Sequence, residues 1–130
     1  MKLALLQFEL LIAHAQSLKD KRRVVKSLKD RLHREHMVAV AEVGRLDDHR
    51  TALLAVAAVG SDVAHLQRVL SIIVEKLRSA GDAQLGTVSG RVIDAPDVDE
   101  DGIDFDTLLS GPEVNELRSA GERALLEERA

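Results

Sequence analysis

The stretch that most constrains the fold is residues 51–59, nine residues that read TALLAVAAV and carry no charge. Val and Thr favour a β-strand, and the predicted strand is apolar on both faces. Such a pattern is typical of a strand at the centre of a sheet that is covered on at least one side. The flanking segments must therefore supply its neighbours and its cover.

Those segments predict three more strands and two helices. Strands are expected over residues 3–12, 37–43 and 84–93, the last weakened by two glycines. Helices are expected from a Ser17 cap to about His36, and from a Ser61 cap to Gly81. The order β-α-β-β-α-β predicts an α+β, ferredoxin-like split βαββαβ fold, with a four-stranded antiparallel sheet and both helices on one face.

The charge distribution divides the chain near residue 94. Residues 1–93 hold 15 Lys and Arg against 10 Asp and Glu, a net charge of +5, whereas residues 94–130 hold 3 against 12, a net charge of −9. We interpret residues 1–93 as the ferredoxin-like domain and residues 94–112 as an acidic flexible linker. Residues 113–130 predict a C-terminal helix that Gly121 weakens.

The first predicted helix has two distinct faces. Its apolar side consists of residues that recur at helical spacing: Leu18, Val25, Leu28 and Leu32. About a third of a turn away runs a row of basic residues without an acid, here called the basic stripe: Lys19, Arg22, Lys26, Lys29 and His33. The helix is expected to turn the first side to a core and the basic stripe to a partner or to solvent.

A nucleic-acid backbone is the partner that such a row of cations favours. The residues expected to bind phosphates are Lys19, Arg22, Arg23, Lys26 and Lys29. The alternative is an ordinary solvated helix face. With Phe8 and Phe105 as the only aromatics, base stacking on the sheet is not expected, so RNA would be recognised by its backbone and shape. The acidic C-terminal residues could bind the same helix in an intramolecular contact and so compete with nucleic acid.

One face of the predicted sheet is left without cover. Leu3, Leu5 and Leu11 are expected to line it, together with either Leu53, Ala55, Ala57 and Val59 or their neighbours. An apolar face of this size predicts a homodimer through the sheet, and a small-molecule site on the same face is the rival interpretation.

The sequence contains no motif for a catalytic, cofactor or metal site. It has no cysteine, no glycine-rich phosphate loop and no third ligand beside His33 and His36. Residues 97–102 spell D-x-D-x-D-G, the first half of a calcium loop, but Leu108 stands where the closing glutamate belongs. We therefore expect no enzyme; an active site would need a cleft that joins Glu9, Glu42 and a basic residue.

The amino-terminal sequence resembles a signal peptide, but we do not expect it to be one. Gln7 and Glu9 interrupt its apolar run, which is better explained by a strand. No run of residues reaches the roughly 18 apolar residues of a membrane span. The sequence therefore predicts a cytoplasmic protein.

The motif SLKDKRRVVKSL at residues 17–28 resembles the YlxP-like family of small bacterial proteins, and the resemblance extends through VAVAEV and the third strand to AHLQRVL. It covers about residues 1–93; the hairpin sequence GRLDDHR and the acidic extension depart from it. The resemblance implies a ferredoxin-like domain of unassigned function in the bacterial cytoplasm. Genes of the family often lie beside translation and ribosome-maturation factors, which implies a ribosomal RNA or ribosomal partner for the basic stripe. The alternative is a dimeric protein–protein interaction or regulatory module without a nucleic-acid role.

Overall fold

The strands and helices follow the predicted order in a computed structural model that describes residues 1–96. The elements are β1 (Lys2–Leu11), α1 (Leu18–His36), β2 (Ala39–Gly44), β3 (Thr51–Gly60), α2 (Val63–Ser79) and β4 (Gln84–Asp94). Residues Met1–Ala95 form one compact unit. The predicted linker beyond residue 96, the calcium-like loop, the C-terminal helix and its proposed contact with α1 all lie outside the described residues.

The ferredoxin-like prediction is confirmed. The four strands form one antiparallel sheet in the order β2-β3-β1-β4, which places the two strands with the longest apolar runs at its centre. Helix α1 packs over β2 and β3, and α2 packs mainly over β1 and β4 and also touches β3. Each βαβ crossover therefore covers one half of the same face of the sheet.

The core lies between the sheet and the helices. Alternate β1 side chains from Ala4 to Leu10 point into it, as does Ile12 just after the strand, and Phe8 among them is completely buried. Alternate β3 residues meet them from the next strand, and each helix adds a stripe of leucines with β-branched residues. None of the helices within residues 1–96 is long and apolar enough to cross a membrane.

Capping residues fix where α1 begins and ends. The Ser17 side chain accepts a hydrogen bond from the Asp20 amide at 3.1 Å, and the Asp20 carboxylate accepts one from the Gln16 amide at 3.0 Å, so the predicted cap forms. At the other end Met37 adopts a left-handed conformation with φ of 53° and its amide bonds to the His33 carbonyl. Strand β2 therefore begins at Ala39 and not at Met37 as predicted.

Smaller boundaries also differ from the prediction. Asp62, and not Ser61, caps α2, because its carboxylate accepts from the Ala64 amide at 3.0 Å. Helix α2 ends at Ser79, before Gly81. Strand β4 continues to Asp94, where an ion pair of 3.0 Å with Lys2 ties it to β1.

Candidate nucleic-acid interface on the first helix

Four side chains fix the orientation of α1 on the sheet. The buried positions of the helix are Lys21, Val25, Leu28 and Leu32, spaced by four, three and four residues. Leu18, predicted for this side, is only half-buried. This face sets the rotation of the helix and decides which of its remaining side chains reach solvent.

The predicted phosphate-binding side chains do reach solvent. Lys19, Arg22, Arg23 and Lys26 are exposed and Lys29 is half-buried. No carboxylate within residues 1–96 forms an ion pair with any of the five. The row is therefore a set of cations that the described part of the chain does not neutralise.

The direction in which the row faces follows from the contacts of α1 with α2. Glu35 of α1 meets Lys76 of α2 at 2.7 Å, so the flank that carries Glu35 faces α2. Lys19 and Lys26 lie about 160–180° around the helix from Glu35, given 3.6 residues per turn. The row thus faces away from α2, on the side of the domain where β2 forms the sheet edge.

The two histidines of the helix have structural contacts. His33 Nδ1 lies 3.0 Å from the Val38 carbonyl oxygen, which requires the ring proton on Nδ1. His36 Nε2 lies 3.1 Å from the Lys76 ammonium, and burial, with the charge of Lys76 second, lowers the pKa of His36 below 6.5. Residues 1–96 contain no group of three or more potential ligands that could hold a metal ion.

The most unusual feature of α1 is Lys21, a residue that the sequence interpretation did not single out. Its side chain is 1% exposed, and its Nζ lies 2.7 Å from Glu42 Oε1 of β2. The ammonium also donates to the carbonyl oxygens of Arg45 at 2.8 Å and Thr51 at 3.2 Å. Because these carbonyls stand at the two ends of the β2–β3 loop, Lys21 clamps that loop to α1.

The contact between Lys21 and Glu42 is mainly an attraction between charges. Glu42 Oε1 is buried and receives no hydrogen bond of suitable angle from any group in residues 1–96, in spite of the 2.7 Å distance to the ammonium. The ammonium, by contrast, donates two of its three N–H groups to carbonyl oxygens. The Glu42 carboxylate therefore depends more on Lys21 than the Lys21 ammonium depends on Glu42.

The other candidate carboxylate lies on the opposite face of the sheet. Glu9 pairs with Arg45 at 2.7 Å on the uncovered face, whereas Glu42 points toward the helices. The cleft that would join Glu9, Glu42 and a basic residue is therefore not formed. Arg45 itself, with φ of 56°, presents its guanidinium to one face and its carbonyl to the other.

The strand register shows which residues line the uncovered face. Leu3, Leu5 and Leu11 stand directly opposite Val59, Ala57 and Thr51 on β3, and paired residues share a face. The set that the sequence left open is therefore Leu53, Ala55, Ala57 and Val59. Leu5 and Leu11 are each 41% exposed and Val59 is 66% exposed, so the described chain leaves this apolar surface open.

A family model described as "Protein of unknown function (DUF503)" matches residues 3–89, which include all six elements up to the middle of β4. No curated protein matches the chain.

Proposed function

Because the chain belongs to the DUF503 family, whose function is unknown, we propose its role from the geometry of α1: a non-catalytic binding module that holds structured ribosomal RNA by its phosphates. Lys19, Arg22, Lys26 and Lys29 contact the backbone, with Arg23 as support. The observation that carries this proposal is a row of cations on one exposed flank that no carboxylate of residues 1–96 neutralises.

The dimensions of the row suit a polyanion. Lys19 and Lys29 are ten residues apart, or about 15 Å along the helix, and successive cations are separated by about 4.5–6 Å. Four such side chains can each displace a counterion from a nucleic-acid backbone. Phe8, the only Phe, Tyr or Trp among residues 1–96, is completely buried and cannot stack on a base. We therefore propose that the helix recognises RNA by its charge and shape.

The resemblance of residues 17–28 to YlxP-like proteins supports ribosomal RNA over other polyanions as the partner, since genes of that family often lie beside translation and ribosome-maturation factors. That neighbourhood is an association and not a mechanism. For this reason the binding experiment uses ribosomal RNA as the probe and an unstructured single strand as the comparison.

The proposal is tested by the salt dependence of binding to purified 16S-type ribosomal RNA, followed by filter retention or fluorescence anisotropy. Four phosphate contacts from one stripe give a slope of log affinity against log salt of about −2.8 to −3.6, or a loss of about 50- to 150-fold between 50 and 200 mM, and an RNA that engages two stripes doubles the slope. The double substitution Arg22→Glu with Lys26→Glu removes two contacts from each stripe, so the slope falls by about 1.4–1.8 per stripe and binding is lost at the higher salt.

The matched control is Arg50→Glu with Arg68→Glu, two exposed arginines outside α1 with the same change in net charge. If both double variants lose affinity equally, only net charge matters and the stripe is not a site. If neither loses affinity, the proposal is wrong.

A second candidate is a dimeric interaction module that self-associates through the uncovered sheet face, for which the exposure of Leu5, Leu11 and Val59 is the specific support. In this case Leu5→Asp converts a dimer to a monomer in light scattering. The control is Leu46→Asp, an equally drastic change at a leucine that is 58% exposed in the β2–β3 loop. A wild-type chain that is monomeric at about 100 μM contradicts this candidate.

A further inference from the structure

We propose that a second copy of this chain adds to the β4 edge of the sheet, so that two sheets continue into one of eight strands and the two α2 helices pack against each other. This surface is separate from the basic stripe and from the uncovered sheet face. It rests on the backbone of β4, on a groove beside α2 and on the placement of charge along the strand.

Strand β4 is a long edge strand. It pairs with β1 on one side, and no strand within residues 1–96 pairs with its other side. It has eleven residues, whereas the opposite edge strand β2 has six. From Gln84 to Gly90 it contains neither charge nor proline, the devices that usually protect an edge. Its outward amides and carbonyls are therefore a template for another strand.

A groove of about 660 Å³ lies between β4 and α2, next to this edge. Leu70 and Val74 from the helix and Val88 and Val92 from the strand form its apolar part. Polar side chains complete the lining: Gln67, Ser71, Glu75, Arg78 and Arg91. Gly90 opens it, because a Cβ at this position would lie 3.2 Å from Leu6 and 3.8 Å from Leu70. The helix thus leaves the outer side of β4 partly uncovered.

The spacing of the elements fits a second copy. Strands lie about 4.8 Å apart, and α2 packs over β1 and β4 with a smaller contact to β3, so its axis lies about 5–7 Å from a two-fold axis placed beside β4. Two α2 helices related by that axis are then about 10–14 Å apart, and they pack where their separation is nearest the 8–10 Å of packed helices. Each helix closes the groove of the other copy.

The charges of β4 select an antiparallel pairing centred near Ser89. Arg91 and Asp94 both lie in the last third of the strand. In that register each faces the uncharged half of the other copy, and the two arginines are about 13 Å apart along the strands. Parallel pairing would instead bring Arg91 beside its own copy.

Ser71 is the helix residue best placed to test this arrangement. Leu70 lies over Gly90, one residue from the proposed centre, and Ser71 is the exposed neighbour of Leu70 that lines the groove. Ser71→Glu therefore brings two like charges together at the axis, as does Ser71→Lys. The matched control is Ser79→Glu on the same helix: both serine hydroxyls donate to a carbonyl four residues earlier, but Ser79 does not line this groove.

Sedimentation equilibrium of the full chain measures the outcome. Wild type and Ser79→Glu are expected at twice the 14.2 kDa of one chain, each Ser71 variant alone at 14.2 kDa, and an equimolar mixture of the two Ser71 variants again as a dimer. Hydrogen exchange supplies an independent readout: amides of residues 84–94 exchange more slowly in the wild-type dimer than in Ser71→Glu.

Three results overturn the proposal. One is a wild-type chain that stays monomeric at about 100 μM. Another is a dimer that survives both Ser71 variants and dissociates with Leu5→Asp, which assigns the contact to the uncovered sheet face. The third is equal exchange of the β4 amides in monomer and dimer.

Discussion

The buried contact between Lys21 and Glu42 allows a prediction whose magnitude can be worked out. Lys21→Met keeps the length of the side chain and removes its charge. The Glu42 carboxylate is then left in a site where its side chain is 15% exposed and no other group within residues 1–96 donates to Oε1. Removing one member of such a pair costs about 3–5 kcal/mol. Since whole domains are stable by about 5–15 kcal/mol, this one change leaves the fold close to its threshold.

The loss should depend on which partner is removed. Glu42→Gln leaves the Lys21 ammonium with its two carbonyl partners, so we expect a smaller cost of about 1–3 kcal/mol. In the double variant Lys21→Met with Glu42→Leu, no unpaired charge remains and the two apolar side chains pack together. We therefore expect it to be more stable than Lys21→Met alone, with a coupling between the two sites of about 2 kcal/mol.

Urea unfolding followed by far-UV circular dichroism is the suitable assay, because the chain has no Trp and no Tyr to report by fluorescence. With a denaturant slope of about 1–2 kcal/mol per molar, a loss of 3 kcal/mol moves the midpoint by about 1.5–3 M. The control is Lys26→Met on the exposed side of the same helix, expected within about 0.5 kcal/mol of wild type. Equal stability of the Lys21 and Lys26 variants, or strictly additive losses in the double variant, would refute this account of the pair.

Three further predictions concern the caps and the titrating groups. Ser17→Ala removes the N-cap of α1 and should lower the free energy of unfolding by about 1 kcal/mol in the same urea assay. Burial, followed by the charge of Lys76, lowers the pKa of His36 in the folded protein below 6.5. The unfolded chain therefore binds this proton at a higher pH than the folded protein does, and the free energy of unfolding should fall as the pH drops through 6.5. His36→Asn should make the urea midpoint depend less on pH between 7.5 and 5.5. The hydrogen bond from Thr51 lowers the pKa of Asp48 below 3.8. The ionised Asp48 carboxylate therefore stabilises the fold above that pH, and this stabilisation is lost on further acidification. Asp48→Asn should reduce the change in thermal midpoint between pH 5 and 3.

The order and type of the elements could be predicted because hydrophobic periodicity is a local property. The central place of β1 and β3 followed from their apolar content. The boundaries were less predictable where two residues compete for one role. Ser61 and Asp62 can both cap a helix, and only the backbone direction decides that Asp62 reaches the Ala64 amide. Met37 looks like a strand residue in a run of apolar residues but serves as the left-handed end of α1.

The Lys21–Glu42 pair was missed although the sequence held a signal for it. Lys21 completes the spacing of the buried side of α1 between Leu18 and Val25. Glu42 continues on β2 the core side that Val38, just before the strand, and Val40 begin. Two charges of opposite sign at two core positions of adjacent elements predict a buried pair. The groove beside β4, by contrast, had no sequence signal, since it depends on where α2 lies over the sheet.

The two proposed surfaces lie at opposite ends of the domain, and this decides how they affect each other. The basic stripe faces away from α2 on the β2 side, whereas the proposed dimer joins the β4 edges. A sheet of eight strands at about 4.8 Å is about 34 Å wide between its outermost strands, so the dimer carries one stripe at each end and neither is covered. A single RNA long enough to reach both stripes would bind the dimer more tightly than one stripe alone, because the second contact becomes intramolecular. A short duplex would engage one stripe at a time, so breaking the dimer should weaken binding to long ribosomal RNA and leave the affinity for the short duplex unchanged.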